Sequence, residues 1–295
     1  MTAPGNRGWM GAGPVEGMEP MMRTMTRLAL LVPCGLIAAS CATAAGVSTQ
    51  DEVAIGQDAS QQVEAQLPML NDRTIDAYVT QLGQRIARVT SRGAELNWQF
   101  AVVNSDQVNA FALPGGFIYV NRGVLARAST MNELAGVLGH EIEHVVARHS
   151  IDQMAKVNNA NVGVGLLCAL TRVCDSGVAQ AGIMVGGQAV FAKFGRGDEI
   201  EADQDGFRNV VASGVNPRGM LTFFGKLLDE ERQSGGNGMT AGWFSDHPGT
   251  QDRIADIQRM LDPMTATQLK GLTIDDAGFK AMKARLTRLP AAPKG

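Results

Sequence analysis

The sequence is poor in aromatic residues and carries no excess of positive charge. Phe, Trp and Tyr make up 5% of the 295 residues, and the formal net charge is −3. Nucleic acids are usually bound by basic surfaces, and single strands are often held by stacked aromatic side chains. The composition therefore gives no support for nucleic-acid binding, and we expect no nucleic-acid partner.

Long apolar runs and internal repeats are also missing. The main apolar stretches, residues 28–39 and two runs within 161–195, are too short or too interrupted to span a bilayer. No period of the length found in solenoid proteins recurs, so we expect no array of helical repeats. The remaining composition, 45% hydrophobic and 19% charged, is that of a globular protein. We predict a single domain over residues 46–290, preceded by a separate N-terminal segment.

That N-terminal segment, residues 1–45, has the features of an export signal. A short basic stretch precedes the twelve-residue apolar run at 28–39, as in a secretory signal. Because signals seldom begin so far into a chain, we expect translation to start at one of the methionines between 21 and 25. Residues 1–20 are then an extension that is not part of the protein.

The end of the signal resembles a bacterial lipobox, Ala38-Ala39-Ser40-Cys41, although Ala38 stands where leucine is usual. Lipidation of Cys41 would anchor the protein, and Ala42, rather than aspartate, after the cysteine favours the outer membrane. The alternative is ordinary cleavage after residue 44, at an A-x-A site. Both alternatives export the protein to the periplasm or beyond, and we expect a periplasmic lipoprotein anchored in the outer membrane.

Cysteine is scarce, with four in the chain. Cys34 and Cys41 belong to the signal, which leaves Cys168 and Cys174. An oxidising compartment would allow these two to pair. Six residues of straight helix rise about 9 Å, which is beyond disulfide reach, so pairing requires a turn between them. Two free thiols are the alternative.

Histidine is equally scarce, yet two of the four histidines stand in the sequence His140-Glu141-Ile142-Glu143-His144. On a helix, residues four apart lie on one face, so His140 and His144 can bind one metal ion together. Zinc suits imidazole ligands, and catalytic zinc commonly has three protein ligands and a water. Glu141 is then placed to take a proton from that water.

The surrounding sequence predicts a long helix for this motif. Residues 130–133 have the form of a capping box, and apolar side chains then recur at helical spacing, so we predict a helix over 130–156. On a continuous helix His149 would point away from His144, because five residues turn the helix by about 500°. We therefore assign His149 a structural role and expect Glu143 to face solvent or an ion-pair partner.

A second helix, predicted from residue 199 through 211, opens with Glu199-Ile200-Glu201-Ala202-Asp203. Glu199 and Asp203 are four apart and share a face. A carboxylate from this helix would supply the third metal ligand. Asp203 could then hold the outer nitrogen of a ligating histidine, which fixes its tautomer.

Two short strands are predicted before the motif helix, at 98–103 and 117–120, with a turn-rich segment at 109–116 between them. An edge strand beside the metal could pair with an extended peptide substrate. This hypothesis makes the second strand the substrate-binding segment, through Phe117, Ile118, Tyr119 and Val120. The alternative is that both are ordinary core strands.

Together these motifs resemble the family of zinc metallopeptidases that includes the CaaX prenyl proteases, HtpX, and periplasmic enzymes of the BepA and LoiP type. The resemblance covers about residues 50–262 and rests on four ordered motifs. They are Asn109-Ala110-Phe111 with Pro114-Gly115-Gly116, the motif helix, Glu199-x-x-Ala202-Asp203, and His247-Pro248 with Arg253-Ile254.

The resemblance implies an α+β, mostly helical, zincin-like metalloprotease domain with a small β-sheet beside the motif helix. It implies one Zn²⁺ per chain, held by His140, His144 and Glu199, with Glu141 as the catalytic base. In periplasmic members the histidine matching His247 approaches the metal, either as a latch or as a stabiliser of the transition state. Arg253 either holds that loop or faces solvent.

The absence of membrane spans and of helical repeats favours a stand-alone periplasmic member. The function implied is a zinc-dependent endopeptidase that hydrolyses unfolded or misassembled envelope proteins. One alternative is a zinc-containing, chaperone-like binding protein in outer-membrane assembly, with its site permanently latched. Another is hydrolysis of a non-peptide amide, such as cell-wall peptide cross-links.

Overall fold

The computed structural model describes residues 46–160, 194–235 and 238–293. All of these residues belong to one compact unit that starts at Ala42. The unit is mostly helical with one three-stranded sheet, which confirms the predicted α+β class. The export signal, the lipobox at Cys41, the 161–195 segment up to residue 193, and Cys168 and Cys174 lie outside the described residues. No described helix is long and apolar enough to cross a membrane.

The described helices follow the chain in this order: α1 Thr49–Gln66, α2 Arg73–Ala87, α3 Arg122–Arg127, α4 Met131–Val146, α5 His149–Ala160, α6 Arg196–Ala212, α7 Arg218–Ser234, α8 Ala241–Asp246, α9 Thr250–Leu261, α10 Ala266–Lys270 and α11 Ala277–Leu286. The strands are β1 Gln99–Val103, β2 Ala110–Leu113 and β3 Phe117–Asn121. The helix predicted from residue 199 through 211 is therefore present as α6, which begins three residues earlier and ends one residue later.

The sheet has the order β1–β3–β2, with β3 parallel to β1 and antiparallel to β2. The hypothesis of an edge strand at Phe117–Val120 is therefore wrong, because both sides of β3 are hydrogen-bonded to neighbouring strands, and the alternative of a core strand holds for β3. The prediction of an irregular segment at 109–116 missed β2, whose four residues are too few for a periodic signal. β2, and not β3, forms the edge of the sheet beside the motif helix.

Alternation along the strands divides the sheet between two apolar clusters. One face packs on α1, through a cluster of Val63, Val103, Leu113, Phe117 and Tyr119. The opposite face belongs to the main core, where Phe100, Val102, Ala110, Ala112, Ile118 and Val120 lie among residues from α2, α4 and α7. The sheet therefore lies between α1 and the motif helix, with its Ala110 and Ala112 side chains on the motif-helix side.

Helix α4 is the central element of this core. It packs against α6, α7, α2 and β2, and nearly every one of its residues is buried. Such a helix must be apolar around its whole circumference unless its polar groups find partners inside the protein. The polar motif at its C-terminal half therefore requires neighbours that satisfy buried histidines and glutamates.

Both ends of α4 differ from the prediction. Thr130 is the N-cap, but its side chain makes no capping hydrogen bond. Glu133 instead accepts hydrogen bonds from the Ser129 N–H at 2.7 Å, and from Thr222 and Lys226. The helix also stops at Val146 rather than continuing to 156, and α5 begins after a break.

Candidate metal centre

Helix α4 brings His140 and His144 together, as their spacing predicts. Both side chains are fully buried, and their rings meet nearly edge to face at 4.6 Å between centroids. Their Nε2 atoms lie 3.0 Å apart. Two imidazole nitrogens so close point their lone pairs at the same small volume.

Helix α6 adds two carboxylates to this pair. Glu199 Oε1 lies 3.4 Å from His144 Nε2, and Glu199 Oε2 lies 3.5 Å from His140 Nε2. Asp203 Oδ1 lies 2.9 Å from Nδ1 of His140, on the side of the ring that faces away from the cluster. Glu201 does not reach the cluster, and its side chain is 57% exposed.

The segment between α8 and α9 supplies His247. Its Nδ1 lies 3.2 Å from His140 Nε2 and 3.2 Å from Glu199 Oε1. The ring packs on buried Trp243 at 4.4 Å, and the His247 N–H donates to the Trp243 carbonyl at 2.7 Å. His247 therefore lies inside the cluster rather than on the surface.

The side chains of His140, His144, Glu199 and His247 lie close enough together to hold one metal ion. Zinc bonds of 2.0–2.1 Å to nitrogen and oxygen place neighbouring ligand atoms about 3.3 Å apart at the corners of a tetrahedron. The separations from His140 Nε2 to the other three residues, and from Glu199 to His144 and His247, run from 3.0 to 3.5 Å, and ligand atoms of all four residues lie within 4.8 Å of one another. Three nitrogens and one carboxylate oxygen are also a donor set that zinc accepts.

Arg253 completes the buried network from α9. Its side chain is 1% exposed and forms ion pairs with both Asp203 and Glu199. Nη2 donates to Asp203 Oδ1 at 2.8 Å, and Nη1 donates to the His247 carbonyl at 3.5 Å. The sequence left open whether Arg253 holds the loop that carries His247 or faces solvent. The structure shows that Arg253 is buried and that its guanidinium donates to the backbone of this loop.

Charge and burial act against each other in this cluster. Burial disfavours an ionised Glu199, yet the charges of His247 and Arg253 hold its pKa well below the usual range. Burial likewise disfavours a charged His247, but Glu199 and Glu141 raise its pKa to about 9. Burial lowers the pKa of His144 well below its usual value. A neutral His144 and an ionised Glu199 are the protonation states that metal ligands need, whereas a charged His247 must lose a proton before its Nδ1 can bind an ion.

Glu141 lies beside the cluster without belonging to it. Its carboxylate is fully buried, and Oε1 lies 3.6 Å from Nε2 of His247. Within the described part of the chain neither oxygen has a hydrogen-bond partner. Burial raises the pKa of Glu141, although the neighbouring histidines oppose this. A buried, unsatisfied carboxyl group with a raised pKa is suited to accept a proton from a bound molecule.

Two predictions about the motif helix were wrong. Glu143 does not face solvent: it is 4% exposed and accepts a hydrogen bond from the Asn209 side chain at 2.8 Å. His149 does not point away from the site, because its ring lies against that of His144 at 5.0 Å. Both errors come from treating the segment as one free helix, without the neighbours that α6 provides and without the break at 147–148.

Comparison with known proteins agrees with this site. The sequence profile of peptidase family M48 matches residues 74–261, which include every residue of the cluster. The beta-barrel assembly-enhancing protease of Yersinia pestis is 31% identical over 210 residues, covering 68% of this chain and 43% of that protein. The protein of the same name from Escherichia coli K12 is 29% identical over 253 residues, covering 81% and 50%.

A mitochondrial metalloendopeptidase, OMA1 of Schizosaccharomyces pombe, is 30% identical over 223 residues, covering 73% of this chain and 62% of that protein. The chain spans about half the length of the bacterial relatives that it matches. The matched family profile covers most of the described fold and both helices that carry the cluster, so the chain belongs to peptidase family M48.

Proposed function

We propose that this protein is a zinc-dependent metalloendopeptidase. The single observation that carries the proposal is Glu141: a buried carboxylate that has no hydrogen-bond partner among the described residues and lies directly beside four candidate metal ligands. A structural zinc site has no need of such a group. His140, His144 and Glu199 would hold the ion, and Asp203 and Arg253 keep these ligands oriented.

A bound zinc ion would supply a Lewis acid that acidifies water and polarises the substrate carbonyl. Glu141 takes the proton of the attacking water and delivers it to the leaving amine. The Nδ1 atom of His247 lies 3.2 Å from both His140 Nε2 and Glu199 Oε1, so this side chain would compete with water for a bound ion. It must withdraw for catalysis, and in a withdrawn position its Nε2 could donate to the developing oxyanion.

The substrate would lie along β2. The Asn121 N–H donates to the Asn109 carbonyl, so the hydrogen-bonded pairs with β3 are residues 109, 111 and 113. In an antiparallel pair this pattern turns the N–H and C=O of Ala110 and Ala112 away from β3. The Ala110 carbonyl lies 3.5 Å from His247 Nε2, so this outer edge begins at the metal cluster. An extended peptide that pairs with Ala112 would pass over the site.

The substrate class we propose is unfolded or misassembled envelope proteins, because pairing through backbone groups requires an extended chain and no particular side chains. We also propose that residues 46–290 form the peptidase domain and that Cys41 anchors it to the outer membrane from the periplasmic side. Membrane fractionation tests the anchor: wild-type protein should sediment with membranes, and a Cys41→Ser protein should not.

A second candidate is favoured by His247 itself. Its Nδ1 completes the ligand set, as expected for a permanently closed site in a zinc-containing, chaperone-like binding protein of outer-membrane assembly. In that case the unsatisfied Glu141 has no explanation, and we therefore prefer the enzyme.

Cleavage of casein by the zinc-loaded protein tests the peptidase against the binding protein. A Glu141→Gln protein with the same zinc content is the matched control, because it keeps the shape of the side chain and removes the base. Cleavage by wild type and not by the control supports the peptidase. If neither cleaves, His247→Ala is tested: activity in this variant indicates a latched peptidase, and continued inactivity supports the binding protein.

A further inference from the structure

The chain turns sharply between α4 and α5, immediately after the metal-ligand motif. Arg148 has a φ of 60°, in the left-handed region that few non-glycine residues adopt. Its side chain holds it there: Nε lies 3.0 Å from Oε2 of fully buried Glu52, and Nη2 donates to the Val47 carbonyl at 2.6 Å. A residue in this conformation persists when its surroundings determine it.

The turn changes the direction in which His149 points. On a continuous helix its ring would lie on another face from that of His144. The break at Arg148 folds it back, so that its Nδ1 lies 2.9 Å from His144 Nδ1. His149 is 3% exposed, and its Nε2 lies 3.4 Å from Oε2 of Glu201. The side chains of His144, His149 and Glu201 thus form a line that starts at the metal cluster and ends at a largely exposed carboxylate.

The protons along this line have one consistent arrangement. Nε2 of His144 faces the other ligand atoms and must carry a lone pair to bind a metal. A neutral His144 therefore carries its proton on Nδ1 and donates it to Nδ1 of His149. His149 in turn carries its proton on Nε2 and donates it to Glu201. Each group in the line is then either a donor or an acceptor, as its neighbour requires.

His140 has a simpler arrangement on the same helix. Its outer nitrogen is 2.9 Å from the carboxylate of Asp203, with no group between them. Among the described residues, the outer nitrogen of His144 meets a carboxylate only through His149. Metal-bound histidines generally donate their outer N–H to a carboxylate or carbonyl, which fixes the tautomer and the ring orientation.

We propose that His149, supported by Glu201, is a positioning residue for His144: it accepts the outer N–H and holds Nε2 in line for a divalent metal ion. This inference rests on the proposed metal-binding role of His144. It assigns a function to His149, which lies outside the HExxH sequence, and to Glu201, a carboxylate of α6 that does not reach the metal cluster.

The test is the affinity of the full-length protein for zinc, measured by competition with a chromogenic chelator. His149→Phe keeps a ring of similar size and removes the acceptor, and we expect zinc affinity to fall by about 10- to 100-fold. His149→Asn retains a polar atom near the position of Nδ1 and should restore most of the affinity. The visible spectrum of the cobalt-substituted protein should change in the Phe variant and stay close to wild type in the Asn variant.

Glu201→Ala provides a second variant that does not depend on core packing, because this side chain is largely exposed. We expect a smaller loss of affinity, about threefold to tenfold. Asp205→Ala is its matched control, since it removes the same charge from the same helix, from a side chain that pairs with Arg208. Equal effects of these two variants would mean that only overall charge matters and would overturn the role of Glu201.

The outcomes separate this inference from the proposed function. Wild-type zinc affinity and an unchanged cobalt spectrum in His149→Phe would overturn the inference, even if the protein cleaves casein. A selective loss of affinity in His149→Phe, restored in His149→Asn, would support it even if no variant cleaves casein.

Discussion

The backbones of Gly139 and Gly206 are in contact where α4 crosses α6. A Cβ atom on Gly206 would lie 2.8 Å from the Gly139 carbonyl oxygen and 3.1 Å from the His140 nitrogen. One of these glycines immediately precedes His140, and the other follows Asp203 by three residues. The contact therefore sets the distance between the two helices that carry the candidate ligands His140, His144 and Glu199.

Gly206→Ala should push these helices apart. We expect the free energy of unfolding to fall by about 1 to 3 kcal/mol, as in other overpacked sites, and the zinc affinity to fall as well. Urea unfolding with a chelator present measures the first effect, and chelator competition measures the second. Gly197→Ala is the control on the same helix, because nothing lies within 4 Å of its added methyl group. Equal behaviour of the two variants would contradict the spacing role.

The pairing of His140 with His144 and of Glu199 with Asp203 could be predicted because these signals are local, whereas the fold class and the place of His247 followed from the resemblance to a known family. An i, i+4 pair of histidines keeps its geometry wherever the helix lies, and the same is true of Glu199 and Asp203. Apolar periodicity likewise indicates α2 whatever it packs against. Each of these features depends on residues only a few positions apart.

The features that could not be predicted depend on residues far apart in the chain. The break that redirects His149 requires Glu52 to meet Arg148. Burial of Arg253 requires the carboxylates of Glu199 and Asp203 and the carbonyl of His247. The position of β3 in the middle of the sheet depends on β2, which is only four residues long. No local pattern in the sequence carries this information.

Arg253→Gln should destabilise the protein strongly when zinc is removed. The substitution leaves the buried carboxylate of Asp203 without its cationic partner and removes one of the two positive charges beside Glu199, the other being His247. Breaking such a buried pair costs about 3 to 5 kcal/mol. Saturating zinc should reduce this loss, because the ion supplies positive charge at the same place. Thermal unfolding with zinc and with chelator measures both.

The control for Arg253 is Arg208→Gln, which removes an exposed ion pair with Asp205. Exposed pairs contribute little, so we expect a change within about 0.5 kcal/mol under both conditions. If zinc gave the Arg253 variant no more protection than wild type receives, the proposed charge compensation would be incorrect.

Glu143→Gln should stabilise the protein in alkaline and not in acidic solution. Burial, together with the charges of Asp205 and Glu201, raises the pKa of Glu143 to about 7. Because folding raises this pKa, the native state holds the proton more tightly than the unfolded state does. The resulting contribution to the free energy of unfolding is complete below the unfolded pKa and is lost as the pH rises through 7. The amide cannot ionise and still accepts the hydrogen bond from Asn209.

The measurement is urea unfolding in the presence of chelator at pH 5 and pH 8. We expect the variant to gain about 1 to 2 kcal/mol over wild type at pH 8 and almost nothing at pH 5. A gain of the same size at both pH values would assign the effect to packing and not to ionisation.

Ala112→Pro tests whether substrate pairs with the outer edge of β2. The N–H of Ala112 points away from β3, so its loss removes no hydrogen bond between these two strands. A peptide that pairs there would lose one backbone hydrogen bond and meet the proline ring. We expect KM for an extended peptide to rise about tenfold, which corresponds to a loss of about 1.4 kcal/mol in binding.

Zinc affinity and the circular dichroism spectrum should stay the same, since the metal ligands are on other elements. A variant with unchanged KM and intact structure would place the substrate elsewhere and would leave the edge strand without a role in binding.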